Sequence, residues 1–441
     1  MGEFSSGPCS SENETTPLCK SHAAHAEAWA WRDVRLFGAL VPWIMATVGV
    51  VYAWGPLLAA LEADEMMPWT PRHTALISTV GGILESIGIG LAGPFADYLQ
   101  AERLVVFLSI FSSISVLMVS MLTTPWHIIL LASLVMFSKG MMWPLTTAIV
   151  GANMHEGKHD FIFAVCAMSA RCGDMISAIV LGSLMKQAGD TWRQALQVYT
   201  IMCGSLFIVV FLVVPKDLAE PGDASFSVRG LVGKVFALLR NWNACLTFLS
   251  LCGTYTVWSL FTYVNVFLVD LYAIHPGSAA RDTAFMPLGS ALGLVTAFVT
   301  RAVLGKNLGR AAQVFQTVVG VGVALALATA RPSLNATLIG YTLMGWSFAA
   351  AAYLPLLVFG ASSEASSRAF NGAVLDCTSS LLVMSGSNYA FGFYRAVASD
   401  PWLVAETMYY WNALGLSLSA VTTGWLYWRL ASNDGPTASG K

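Results

Sequence analysis

Twelve apolar stretches of roughly 20 residues, separated by short polar loops, constrain this chain more than any other feature, because a bilayer core about 30 Å thick takes about 20 apolar residues per crossing helix. In the first half they run 36–61, 74–96, 104–122, 128–150, 161–185 and 195–214. In the second half they run 245–272, 283–304, 311–330, 337–359, 370–393 and 407–427. Only 11% of the 441 residues are charged and 56% are hydrophobic, where a soluble domain carries about 25% charged residues. The backbone of such a chain must satisfy its own hydrogen bonds inside lipid, which leaves helices as the spanning element. The expectation is an all-α membrane protein of twelve transmembrane helices in two pseudo-symmetric six-helix bundles.

The organisation follows from the polar intervals. Residues 1–35 form a polar, acidic N-terminal tail, expected to be largely disordered and without the basic and short apolar regions of a cleavable signal peptide. An N-terminal bundle follows over 36–214, then a linker over 215–241 holding Lys216, Arg229, Lys234 and Arg240, a C-terminal bundle over 242–430 and a short tail over 431–441. Lys and Arg number fifteen in the even loops and tails, against six in the odd loops (Arg72, Lys186, Arg193, Arg281, Arg331 and Arg395). Cytoplasmic loops hold the basic excess, so both termini are expected in the cytoplasm, with plasma membrane and organelle membrane left open. The eight cysteines lie mostly in apolar runs without paired CxxC spacing, and read as small hydrophobes. A net charge of -2 argues against a nucleic-acid partner, which calls for a basic excess.

Gly93-Pro-Phe-Ala-Asp97 after the second span, followed by Arg103, resembles the loop pattern of the major facilitator superfamily: Gly, three residues, Asp, then basic residues. Tyr98 to Glu102 stand where the family carries its first basic residues, and the equivalent loop of the second half keeps Gly309-Arg310 but has Lys306 at the Asp position. Gly140-Met-Met-Trp143-Pro144 and Val213-Val214-Pro215-Lys216-Asp217 are similar to family stretches as well, and Tyr52-Ala-Trp54-Gly55-Pro56 resembles organic-anion members such as oxalate/formate and monocarboxylate carriers. The resemblance implies two bundles that rock about a central cavity, lined by spans one, four, seven and ten, with solute bound near the midplane. It also implies that Gly93, Asp97 and Arg103 act as a gating loop at the cytoplasmic face, and that the protein is a monomer.

A charge inside hydrocarbon costs roughly 2.5–3.5 kcal/mol on insertion scales, so a mid-span ionisable residue is a functional hypothesis by default. Five qualify: Glu85, Lys139, Arg171, Asp174 and Asp376. Arg171 and Asp174, three apart, share a helical face and can pair with each other. One reading is a self-neutralised structural pair; the other lets the Arg171 fork hold a carboxylate or phosphate while Asp174 positions it. Lys139 and Glu85 lie on spans that neighbour each other in the implied fold, so they can bind solute or clamp two helices. Asp376 has no cation within reach on its own span, and a lone carboxylate in low dielectric favours its protonated form, as a proton carrier requires. Its alternative is a carboxylate satisfied by Thr378 or Ser379. Tyr52, Trp54, Tyr255, Trp258, Asn265, Trp346 and Tyr353 complete the candidate cavity lining.

The chain has no GxxxxGK[ST] phosphate loop and no HExxH pair, and its loops leave no room for a catalytic domain, so neither an enzyme nor an ATP-driven pump is expected. No cofactor is implied. The expected function is secondary transport of a small organic solute, anionic or zwitterionic given Arg171 and Lys139, as a symporter or uniporter with protons as the candidate coupling ion. The alternative is a receptor or scaffold that binds solute on the same fold without moving it.

Overall fold

The computed structural model describes residues 31–98, 101–154, 158–187, 191–214, 233, 236–361 and 368–433. The first crossing is made of α1 (Trp31–Tyr52) and α2 (Trp54–Glu62). Then come α3 (Pro71–Tyr98), α4 (Ala101–Val119), α5 (Pro125–Asn153), α6 (His159–Gln187) and α7 (Trp192–Val213). The second half holds α8 (Trp242–Tyr272), a short α9 (Pro276–Asp282), the long α10 (Phe285–Ala330) and α11 (Leu334–Ala361). It ends with α12 (Arg368–Ser379), a π-helical turn (Ser380–Met384), α13 (Ser385–Val397) and α14 (Pro401–Asn433). The described residues contain no strand.

Local chemistry sets several boundaries. The Asn241 side chain caps α8 by accepting from the backbone N–H of Asn243 and Ala244. Pro276 opens α9 at the position where a missing N–H costs nothing, while His275 accepts from the Gly277 N–H. Within α10, Gly305 adopts φ 75°, which only glycine takes without strain. The chain turns back there, so α10 supplies the two apolar stretches Pro276–Gly305 (with α9) and Asn307–Ala330.

Among the described residues, eight helical stretches are long and apolar enough to cross a bilayer unaided, and Arg103–Val119 is apolar but shorter. The other expected crossings are occupied by α11, by α12 with α13, and by α14. The apolar and polar residues are distributed inside out relative to a soluble protein. Val303, Leu212 and Ile339 are 75%, 70% and 62% exposed, while Glu85, Lys139, Arg171 and Asp174 are buried. Large apolar side chains outside and charges within are what a lipid solvent selects.

Two apolar cores underlie the two halves. One is built around Trp43, Ile44, Leu57 and Leu145, the other around Tyr341, Phe348, Phe267 and Tyr409. Helix approach inside the first half depends on glycine. A Cβ on Gly140 would lie 2.0 Å from the Glu85 carbonyl oxygen, and one on Gly88 would lie 2.3 Å from that of Phe137. Bare glycines let α3 and α5 touch backbone to backbone, as small residues do between membrane helices.

Candidate functional site

The close packing of α3 on α5 brings Lys139 Nζ to 2.5 Å from Glu85 Oε1, with both side chains buried. One helix further on, Arg171 and Asp174 of α6 form an ion pair at 2.8 Å, as their i, i+3 spacing allows. The four charges form one buried layer contributed wholly by the first half.

The second half answers with aromatic rings. Trp258 of α8 lies against both cations: Lys139 Nζ is 4.8 Å and the Arg171 guanidinium carbon 4.9 Å from its ring. Arg171 is also 6.0 Å from the ring of Phe261. Each such contact is worth roughly 0.5–1 kcal/mol where water reaches it and about 2 when desolvated. Trp258 in turn packs on Tyr255, Phe261 and Phe348, with ring centroids 6.4, 5.5 and 5.2 Å away. A charged surface on one half thus meets an aromatic shelf on the other.

Two cavities flank this layer, and Trp258 lines both. The one nearer the face where the described chain begins and ends, the terminal face, is bounded by Glu85, Lys139, Arg171, Tyr255, Phe348 and Asp376 among others. The one towards the opposite, distal face is bounded by Trp54, Pro56, Ser78, Asp174, Phe261 and Asn388 among others. Both are narrow, with about 100 and 70 Å³ of free space open to a water-sized molecule. In the first, the Tyr255 hydroxyl donates to Asp376 Oδ1, so the carboxylate of α12 is held by α8.

The distal face is sealed by contacts between the halves. Arg395 of α13 donates from Nη1 and Nη2 to the two oxygens of Glu62, each at 2.8 Å, and from Nε and Nη2 to Asp270 at 2.8 and 3.2 Å. Glu62 is itself fixed by the Thr74 hydroxyl at 2.5 Å, and Thr74 accepts from Trp69 Nε1. Below this cluster, Asn265 Nδ2 donates to the carbonyl oxygens of Gly55 and Pro56, tying α8 to α2. Asn388 Nδ2 donates to the Ser78 carbonyl at 3.4 Å. A guanidinium fork against two carboxylates is the geometry that gives an ion pair directional strength.

The structure brings Glu85, Lys139, Arg171, Asp174, Tyr255 and Asp376 together and places Trp54 in the distal cavity wall. Asn265 points instead to the α2 backbone, where it joins the halves. Trp346 turns its indole N–H to Thr296 within the second half, and Arg103 is exposed. Tyr52, Gly93, Asp97 and Tyr353 lie outside the residues whose side chains are described. Sequence reasoning missed Glu62, Asp270 and Arg395, which sit at span ends where charges are ordinary. Their only signal was that all three fall within a turn of the same predicted face.

The sequence profile of the Major Facilitator Superfamily matches residues 32–387. No curated protein sequence matches the chain. Among solved structures, the nucleoside transporter NupG is similar with a TM-score of 0.64 at 14% identity, covering 89% of this chain and 99% of its own. The transporter FucP in its outward conformation is similar with a TM-score of 0.64 at 12% identity, covering 88% and 98%. A bacterial homologue of the human lysosomal transporter Spinster, inward-facing and unoccupied, is similar with a TM-score of 0.61 at 14% identity, covering 92% and 98%.

Proposed function

Because the chain belongs to the Major Facilitator Superfamily and is therefore a multi-pass membrane transporter, not an enzyme, we propose that its cargo is a small organic anion or zwitterion, carried by alternating access with a proton as coupling ion. The observation that carries this reading is the buried layer in which Lys139 and Arg171 of the first half lie against Trp258 of the second. A carboxylate in the terminal-side cavity meets two cations in low dielectric, and rocking of one half against the other must separate both cations from Trp258.

Charge counting supports the proton. Among the described residues of this layer, the carboxylates Glu85, Asp174 and Asp376 stand against the cations Lys139 and Arg171, so the fully ionised set carries one excess negative charge. Adding a carboxylate to that excess is prohibitive in a medium where each unpaired ion costs several kcal/mol. One proton delivered to Asp376 balances the resting layer, and a second, on Asp174, frees Arg171 to exchange its carboxylate partner for that of the solute. Tyr255 positions Asp376 for that step.

The same reading assigns both termini to the cytoplasm and a monomer as the working unit, with bundles over 36–214 and 242–430 joined by the 215–241 linker. The test is uptake of labelled carboxylates into proteoliposomes under an imposed pH gradient. Accumulation should follow the proton gradient and vanish in Arg171→Gln; a normal rate in that variant would falsify the role given to Arg171. Asp174→Asn should abolish gradient-driven accumulation while solute-for-solute exchange persists.

A further inference from the structure

The two halves bring different chemistry to the site. Every ionised side chain of the central pairs comes from α3, α5 and α6, whereas α8 and α11 supply a continuous set of rings: Trp258, Phe261 and Phe348 lie within 5.2–5.5 Å of one another. The distal cavity extends that shelf, since Trp54, Trp258 and Phe261 form its walls together with Ile77 and Met136. A solute that binds both halves at once must therefore present a charge to one and a flat apolar body to the other. Short aliphatic acids satisfy only the first demand.

We propose that the solute is an aryl carboxylate, its carboxylate on Arg171 and its ring in the distal cavity between Trp54, Phe261 and Trp258. The assignment rests on the anion reading above. Arg171 lines the terminal-side cavity and Asp174 the distal one, and their three-residue spacing amounts to about 4.5 Å along α6. A two-carbon linker between ring and carboxylate covers that step. Aromatic pairs gain beyond the area they bury when rings meet offset or edge to face, so the shelf discriminates against a saturated ring of the same size. Trp258 is then the specificity-determining residue: it lies against both cations and stacks on the ring of a bound solute.

The experiment is titration calorimetry on the detergent-purified full chain with 3-phenylpropionate, 3-cyclohexylpropionate, propionate and 3-phenylpropanol. The expected order places phenylpropionate about threefold to tenfold tighter than the cyclohexyl acid, although the latter is more apolar, with propionate weaker than both. Trp258→Phe should keep the aryl preference and Trp258→Leu should bring the ratio to about one. Equal binding of the two ring acids by the unaltered chain overturns the inference, and that comparison stands even if a Trp258 variant fails to fold. Arg171-dependent binding of all three acids without aryl preference removes the aryl assignment and leaves the anion reading intact. Phenylpropanol binding as tightly as phenylpropionate, indifferent to Arg171→Gln, removes both.

Discussion

The Arg395 cluster makes the distal seal a quantity that can be measured. Arg395→Ala deletes the four hydrogen bonds at 2.8–3.2 Å and leaves Glu62 and Asp270 facing each other. The Arg395 and Glu62 side chains are only 10% and 16% exposed. Truncating one partner of a buried, hydrogen-bonded charge pair costs about 2–5 kcal/mol. In a transporter that cost falls on the distally closed state alone, because the state open on that face has already parted Glu62 from Arg395. Even the lower figure of about 2 kcal/mol shifts the balance between the states roughly thirtyfold. Thr262 lines the distal cavity beneath the seal, so a Thr262→Cys reporter in a background without native cysteines should react with an impermeant maleimide far faster once Arg395 is removed. Arg395→Lys should give an intermediate rate, since an ammonium keeps the charge and loses the fork. A labelling rate within threefold of the parent would refute the seal and leave closure to backbone packing and the Asn265 contacts.

Other outcomes follow from the buried layer. Glu85→Gln should lower stability by about 3–5 kcal/mol by stranding the Lys139 ammonium, whereas Glu85→Gln with Lys139→Met should recover most of that loss; thermal melts of these two variants and of Lys139→Met alone decide it, and an additive cycle would show that the pair does not interact. Gly140→Ala places a methyl 2.0 Å from the Glu85 carbonyl and should cost about 1–3 kcal/mol through overpacking, seen as a lowered melting temperature. Because the forced separation of α3 and α5 also lengthens the Glu85–Lys139 contact, transport should fall further than stability, and uptake normalised to folded protein checks this.

Much of this architecture is legible in the sequence because lipid imposes one rule on every crossing. The twelve apolar stretches locate the helices, and charges in hydrocarbon stand out against them: Glu85, Lys139, Arg171, Asp174 and Asp376 converge around the two cavities. The Arg171–Asp174 pair was readable from its spacing alone, and the Glu85–Lys139 pair only once the resemblance set those spans side by side. What the residues could not reveal are facts of orientation between distant elements. Nothing marks Trp258, among fifteen tryptophans, as the one that covers both cations. Trp346 and Asn265 have the residue types of cavity lining, but helix rotation turns the first to Thr296 and the second to the α2 backbone. The Arg395 cluster left only the faint signal of a shared face because charges at the membrane boundary are common, and only the tertiary fold joins Glu62 to a residue more than 300 positions away.

The wide turn at Ser380–Met384 works as a phase correction. Asp376 borders the terminal-side cavity and Asn388 the distal one, and an unbroken α-helix would point side chains twelve positions apart about 120° away from each other. Absorbing one extra residue in a π-turn reduces that angle to about 20°. A single helix can thereby serve both chambers from one edge, and Ser380 meets the Ser86 hydroxyl of α3 at 3.0 Å where the correction is made. The reading frame of this stretch, counted in residues, is thus a structural parameter in its own right. Deleting one residue between Asp376 and Asn388 should convert the π-turn to plain α-helix and keep the two groups within about 20°, whereas inserting one restores the divergence of about 120° and swings one chamber's polar group out towards lipid.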